Sequence, residues 1–330
     1  MTLADRIRGR AAQLLAMRTA RGPYRFVVKD WLRTDDLDLA ERVLRTDWFL
    51  AHLRPSALPW REFDRICVIA PHQDDEVIGC GGLLLFAAEA GKQLHIVHLT
   101  DGTPRASSGA VADAPLRDET TLAMMRARRR AEAEAVADDL GATAHFIDID
   151  NVGLGVSKEQ LESFRRAVRE ANPDLVLLPW LLDSPPAHRF AVYLSYVALR
   201  DVPLTCEAWA YEVHNSLIPN GYVDITDKIG AKAALIRRYE SQIESLRPYD
   251  HLAVGLAAWN SRYLEATEHS STERYAELYF TAPMSEYLAL VRSFYFRRVE
   301  ETFKSDRRVI EAALAVQALA ALDGDEKWRL

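Results

Sequence analysis

The stretch RICVIAPHQDDEVIGCGG, residues 65–82, carries most of what this sequence says about its fold. Ile66, Cys67, Val68, Ile69 and Ala70 form a short apolar run rich in β-formers, the pattern of a central parallel strand buried on both faces. Behind it stands Pro71-His72-Gln73-Asp74-Asp75-Glu76, at the carboxyl end of that strand, where open α/β sheets hold their ligands. A helix is predicted from about Glu76 to Ala90, stopped by Gly91. Gln93 to Thr100, reading QLHIVHLT, alternates into a second strand that ends at the turn signal Asp101-Gly102. Strand, helix and strand make one βαβ unit.

The rhythm repeats towards the C-terminus. A loop rich in Gly, Ser, Ala and Pro runs from Thr103 to Pro115, a long charged helix follows to Leu140, and Gly141 caps it ahead of a strand from Thr143 to Ile149. Ser157 with Gln160 reads as a capping box that starts a helix to about Ala171, and Pro173 precedes a buried strand from Asp174 to Leu178. Two more strands are predicted at Cys206–Val213 and Tyr222–Ile225, then helices over Asp227–Leu246 and Pro248 to about Thr267. From Met284 the chain reads as helical and charged, packing outside the domain or on a partner. Upstream, Ala4–Ala20 and Asp35–His52 place apolar residues at helical spacing, and Pro55 and Pro59 mark a linker. The expectation is an α/β fold, a Rossmann-like, doubly wound, mostly parallel sheet with helical N- and C-terminal extensions. Its predicted parts are a helical extension over 1–60, the main domain over 61–282 and a C-terminal helical extension over 283–330.

Composition narrows the function classes. Among 330 residues 49% are hydrophobic and 27% charged, enough apolar material for a sizeable core. The net charge of -7 argues against nucleic acid as a partner, since phosphate-binding surfaces carry an excess of Lys and Arg. Cys67, Cys80 and Cys206 are widely spaced, as reduced residues of a cytoplasmic protein would be. The absence of a long apolar run and of a signal-peptide core supports that localisation.

A His, two adjacent Asp and a Glu so close together would repel one another if buried, unless a cation or protons compensate them. A divalent metal resolves the conflict. Imidazole and carboxylate suit zinc, and a catalytic zinc site keeps three protein ligands with one position open. On spacing alone a solvated loop, or an acidic cluster at the positive end of the following helix, fits equally well. Gly79, Gly81 and Gly82 tip the balance, because each glycine in a helix costs about 1 kcal/mol relative to Ala and marks close backbone approach.

APHQDDEVIGCGG, followed by a strand ending in LTDG, resembles the PIG-L/LmbE-like family of zinc-dependent N-deacetylases. The likeness continues through RRRAEAEAVADDLG, LPWLLDSPPAHR and VDITDKIGAKAALIRRYESQ, over roughly residues 65 to 245. It implies a deacetylase domain that removes an acetyl group from a small-molecule or lipid-linked N-acetyl sugar. It also implies one zinc ion per chain held by His72, Asp75 and His188, with Asp74 as general base. Arg129 and Glu132 match the family's pattern as structural residues.

The sequence departs from that pattern in places. Gln73 stands where proline is common, a change expected to be tolerated if the position serves backbone shape. Pro185 and Ala187 replace the His and Asp of a His-Pro-Asp-His segment whose first His helps stabilise the oxyanion. His214, just past CEAWAYEV, is the candidate substitute, although a lone His at a strand end is more often simply exposed. Asp101 and Arg105 are candidates for substrate binding, with Asp101 reading more readily as a turn residue. Two His and a carboxylate would also suit a non-haem iron enzyme, but those ligands usually lie on a β-sandwich. A non-catalytic carbohydrate-binding or scaffold relative would explain Pro185 and Ala187, yet has no need of Asp74 beside a metal.

Between Met1 and Arg33 the positive residues Arg6, Arg8, Arg10, Arg18, Arg21, Arg25, Lys29 and Arg33 face only Asp5 and Asp30. With Leu3, Ile7, Leu14, Leu15 and Met17 on its apolar side, the arm over residues 1–33 is expected to touch an anionic inner-membrane surface peripherally. The stronger expectation is packing on the domain or on another subunit of a homo-oligomer.

Overall fold

The computed structural model describes residues 55–103, 119–243, 247–265, 273–295 and 307–322. The two helices expected upstream of Pro55, the basic arm and Arg105 lie outside the described residues. The strands are β1 (Ser56–Ala57), β2 (Arg65–Ala70), β3 (Gln93–Thr100), β4 (Thr143–Ile149), β5 (Leu175–Pro179), β6 (Glu207–Tyr211), β7 (Gly221–Asp224) and β8 (Ala276–Pro283). They form one sheet in the order β1-β7-β8-β6-β5-β2-β3-β4. β2 pairs in parallel with β3 on one side and with β5 on the other, β4 continues beyond β3, and β6 beyond β5. The chain thus leaves β2 in one direction and later returns to its opposite side. At such a switch point the two connections diverge and a crevice opens at the carboxyl ends of the strands, here of β2 and β5.

Alternation along β2 divides the core. Ile66 and Val68 point to a layer of α1 (Asp75–Glu89), α2 (Glu119–Leu140), α5 (Ile229–Arg237) and α7 (Tyr249–Asn260). Cys67 and Ile69 point to a layer of α3 (Lys158–Ala171), α4 (Pro186–Leu199), α8 (Met284–Tyr295) and α9 (Arg307–Leu322). The capping box at Ser157 and Gln160 is present at the start of α3. The C-terminal helices do not stand apart from this packing: Tyr287, Val291 and Tyr295 of α8 and Val309, Ala313 and Val316 of α9 are buried in the same apolar core.

Several features differ from expectation, among them α4, in a stretch where no helix was predicted. β8 was not foreseen, and it runs antiparallel between β6 and β7, making the sheet mixed at that end. The helix expected over Asp227–Leu246 is broken into α5 and the short α6 (Glu240–Ile243), which lets Tyr239 turn inward, 1% exposed, with its hydroxyl donating to Glu76.

The glycines of α1 are explained by contact. A Cβ on Gly79 would lie 2.2 Å from Cδ2 of Tyr211, and one on Gly82 would lie 2.5 Å from Cγ2 of Ile225. α1 is also interrupted at Cys80, whose φ of -134° and ψ of 20° are not helical. The helical turns beyond the break begin with free amides, and the buried Glu277 of β8 accepts from Gly82 N at 2.7 Å and Leu83 N at 2.9 Å. Lys232 Nζ, at 2.7 Å, balances that carboxylate's charge. Cys67, Cys80 and Cys206 form no disulfide. Among the described residues no helix is long and apolar enough to cross a membrane.

Candidate metal centre

The loop after β2 and the first turn of α4, after β5, meet in the crevice. Pro71 O accepts from Thr100 N at 3.1 Å and from Thr100 Oγ1 at 2.9 Å, and Gln73 Nε2 donates to Thr100 O at 2.7 Å. β3 therefore fastens the loop at two points, and Gln73 is a buried tether as well as a backbone spacer. Asp74, at the N-cap of α1, has φ 127° and ψ -26°. A non-glycine residue held there is strained, and such strain concentrates at functional sites. On the other side Pro185 occupies the N-cap of α4 and Pro186 its first position, where a fixed φ and a missing N–H favour helix initiation. His188 follows in the first turn with its ring aimed back at β2.

His72 Nδ1, Asp75 Oδ2 and His188 Nε2 converge. His72 Nδ1 lies 3.2 Å from Asp75 Oδ2 and 3.2 Å from His188 Nε2, and His188 Nε2 lies 3.3 Å from Asp75 Oδ2. The outer nitrogens are occupied: His72 Nε2 is 2.9 Å from Asn151 Oδ1, and His188 Nδ1 is 3.0 Å from Asp183 Oδ2. Both outer partners are acceptors, so each neutral ring carries its proton outward and turns a bare nitrogen inward. Two lone pairs and a carboxylate oxygen then face one another and need positive charge between them. Tetrahedral ligation with bonds of about 2.0–2.1 Å separates ligand atoms by roughly 3.3–3.4 Å, close to the spacing seen, so the donor set fits a divalent metal. His72, Asp75 and His188 form the one such group of metal-binding side chains among the described residues.

The electrostatics agree with that reading. Burial alone would raise the Asp75 carboxyl, but the imidazoles of His188 and His72 outweigh it and hold it below the ordinary carboxylate range. Burial and the neighbouring Asp75 push Asp74 well above that range, with the Arg129 guanidinium opposing them. Burial raises Glu76 to about 7. Two buried neighbours thus separate, Asp75 held towards its anionic form and Asp74 towards its protonated one.

Of the other expected residues, His214 reaches the site: its ring centroid is 5.1 Å from that of His188, and its amide faces Asp183 Oδ2 at 3.4 Å. Desolvation in this cleft and the adjacent His188 lower its pKa. Asp101 stands one layer back, accepting from Thr103 N at 2.9 Å, Thr103 Oγ1 at 2.8 Å and Asn151 N at 3.2 Å. Glu132 accepts from Ser241 N and Oγ, and Arg129 donates to Gln242, so both fasten α2 to α6. Ala187 is buried in the apolar core, and Asp183 supplies the carboxylate to the His188 ring. Asn151 and Asp183 were missed by sequence reasoning. Their one signal was position, immediately beyond the carboxyl ends of β4 and β5.

Comparison with known proteins agrees with the geometry. The family described as PIG-L: GlcNAc-PI de-N-acetylase matches residues 67–199, which include the three converging side chains and Asp74. The chain is 28% identical over 204 residues to a diacetylchitobiose deacetylase of Thermococcus kodakarensis, covering 56% of this chain and 72% of the relative. It is also 28% identical over 203 residues to a 4-oxalmesaconate hydratase of Pseudomonas putida, covering 57% of this chain and 77% of the relative. The solved N,N'-diacetylchitobiose deacetylase from Pyrococcus horikoshii superposes with a TM-score of 0.53 at 22% identity, covering 79% of this chain and 95% of that one, which supports the fold. Residues 67–199 thus match the PIG-L family, which supports the likeness to PIG-L/LmbE-like proteins read from the sequence.

Proposed function

We propose that the protein is a zinc-dependent N-deacetylase, a hydrolase that removes the acetyl group from an N-acetylated sugar conjugate such as a cell-envelope, polysaccharide or glycoside precursor. The observation that carries this reading is the convergence of His72 Nδ1, Asp75 Oδ2 and His188 Nε2 beside the strained, buried Asp74. A single zinc ion bound there would supply a Lewis acid for the acetamide carbonyl and make water more acidic. Asp74, outside the ligand triangle, takes the proton of the attacking water on a carboxylate oxygen and returns it to the leaving amine. His214 offers a ring N–H to the carbonyl oxygen, a task for which Pro185 has no donor. Arg105 is proposed to contact a sugar hydroxyl or phosphate. The chain would work in the cytoplasm, with the arm over residues 1–33 contacting the membrane face that displays lipid-linked substrates, or another subunit.

The deacetylase relative supports acetyl removal. The hydratase relative, at the same identity, favours a second reading in which the same centre adds water without releasing acetate. Elemental analysis of the purified protein, together with acetate release from a panel of N-acetylglucosamine conjugates, decides between them. One zinc per chain and acetate release are expected. A metal-loaded protein that frees no acetate from any conjugate overturns the deacetylase reading.

A further inference from the structure

Asn151 is buried and Asp101 half-buried, both lie beyond the ends of adjacent strands, and Asp101 has no place in the chemistry derived so far. Asn151 is 4% exposed and uses its amide in a way that admits one orientation. Its Nδ2 donates to Thr103 O at 2.7 Å, so the group turned to His72 Nε2 at 2.9 Å must be the Oδ1 acceptor. The reverse orientation would set an NH2 against His72 and an oxygen against a carbonyl. Asp101 fixes the frame: its Oδ1 accepts from Asn151 N and Thr103 N, and its Oδ2 accepts from Thr103 Oγ1. Asp101, Thr103 and Asn151 thus form a set of linked hydrogen bonds from which the Asn151 Oδ1 acceptor is aimed at an imidazole. Arg126 Nε, 4.0 Å from Asp101, compensates the charge.

We propose that Asp101 and Asn151 are a positioning pair that holds the His72 proton on Nε2, keeps Nδ1 bare, and thereby sets how tightly the centre holds its ion. The proposal rests on the metal-centre reading above and gives Asp101 a different role from the substrate contact expected from sequence. Without the Asn151 acceptor, His72 is free to carry its proton on Nδ1, where Asp75 Oδ2 at 3.2 Å would accept it. That tautomer blocks the ligand atom.

The test is zinc affinity of the full chain, measured by competition with a chromophoric chelator at fixed pH. Asn151→Ala and Asp101→Ala should each weaken zinc binding about 10-fold to 100-fold, the usual loss when a ligand's outer partner is removed. Asp101→Asn, which keeps the Oδ1 acceptor, should recover most of the loss. A substrate-contacting Asp101 would instead leave zinc affinity untouched in Asp101→Ala. Zinc affinity in Asn151→Ala within about twofold of wild type overturns the proposal. If the variants do not fold, the ¹⁵N-histidine spectrum of metal-free wild type decides: a proton on His72 Nε2 supports the pair, and one on Nδ1 alone overturns it. Wild type that binds no zinc removes the metal-centre reading itself, a result distinct from zinc binding that ignores Asn151.

Discussion

Asp183→Asn changes one atom of a completely buried side chain, and the structure says why that atom matters. All four partners of the Asp183 carboxylate are donors: Ser184 N at 2.8 Å and Asn215 N at 2.9 Å on Oδ1, and His188 Nδ1 at 3.0 Å and His214 N at 3.4 Å on Oδ2. An asparagine must present its NH2 to one pair or the other, and backbone donors cannot become acceptors. The single partner able to adapt is His188, by moving its proton from Nδ1 to Nε2. That proton then points into the triangle shared with His72 and Asp75 and must be expelled before a metal can bind. The loss expected is about 10-fold to 100-fold in zinc affinity, or roughly 1.4–2.7 kcal/mol. Zinc titration against a competing chelator measures it, and a circular-dichroism melt shows whether the fold survives. Affinity within about twofold of wild type in a folded Asp183→Asn protein would refute the tautomer argument.

Other consequences are simpler to read. His188→Ala should purify with far less metal than wild type, as elemental analysis would show; equal occupancy removes His188 from the ligand set. Asp74→Asn should keep metal and fold but lose acetate release by about 100-fold to 10,000-fold, the usual weight of a general base; near-normal rates would exclude that role. Gly79→Ala drives a Cβ into the Tyr211 ring, whose hydroxyl donates to Ile69 O, and overpacking of this kind costs about 1–3 kcal/mol, readable from the denaturant midpoint. An unchanged midpoint would mean that the ring yields freely. Burial pushes the Cys67 and Cys206 thiols up to about 12 and Cys80 well above its usual value, so native protein at pH 8 should resist iodoacetamide until it is unfolded. Rapid labelling of native Cys67 would contradict its burial.

The first βαβ unit was legible because its pattern is local: an apolar run, a polar cluster and an alternating strand follow one another within 40 residues or so. His72, Asp74 and Asp75 stand in that unit and were legible with it. β8 was not, because Ala276–Pro283 lies beyond the helices, runs against its neighbours and ends in proline, and nothing nearby in the chain shows where it pairs. The break before Tyr239 was hidden for a related reason. A continuous helix satisfies local propensity, and the partners that reward interrupting it, Glu76 for Tyr239 and Glu132 for Ser241, are distant in the chain. Asn151 and Asp183 act through the orientation of a ring, and their residue types carry no mark of it. For Asp101 the local turn signal is met in its bonds to Thr103, which are those of a turn residue.

The carboxylate that caps the second part of α1 has a bearing on what can be cut from this protein. Gly82 and Leu83, just behind the ligand-bearing loop, donate to a side chain some 195 residues further on. A fragment trimmed to residues 67–199, the stretch that matches the PIG-L family, would keep all three candidate ligands and lose Glu277. It would also lose Tyr211 and Ile225, the surfaces against which Gly79 and Gly82 are seated. The stretch matched by similarity is therefore smaller than the packed unit, and a minimal working piece has to reach at least through Pro283.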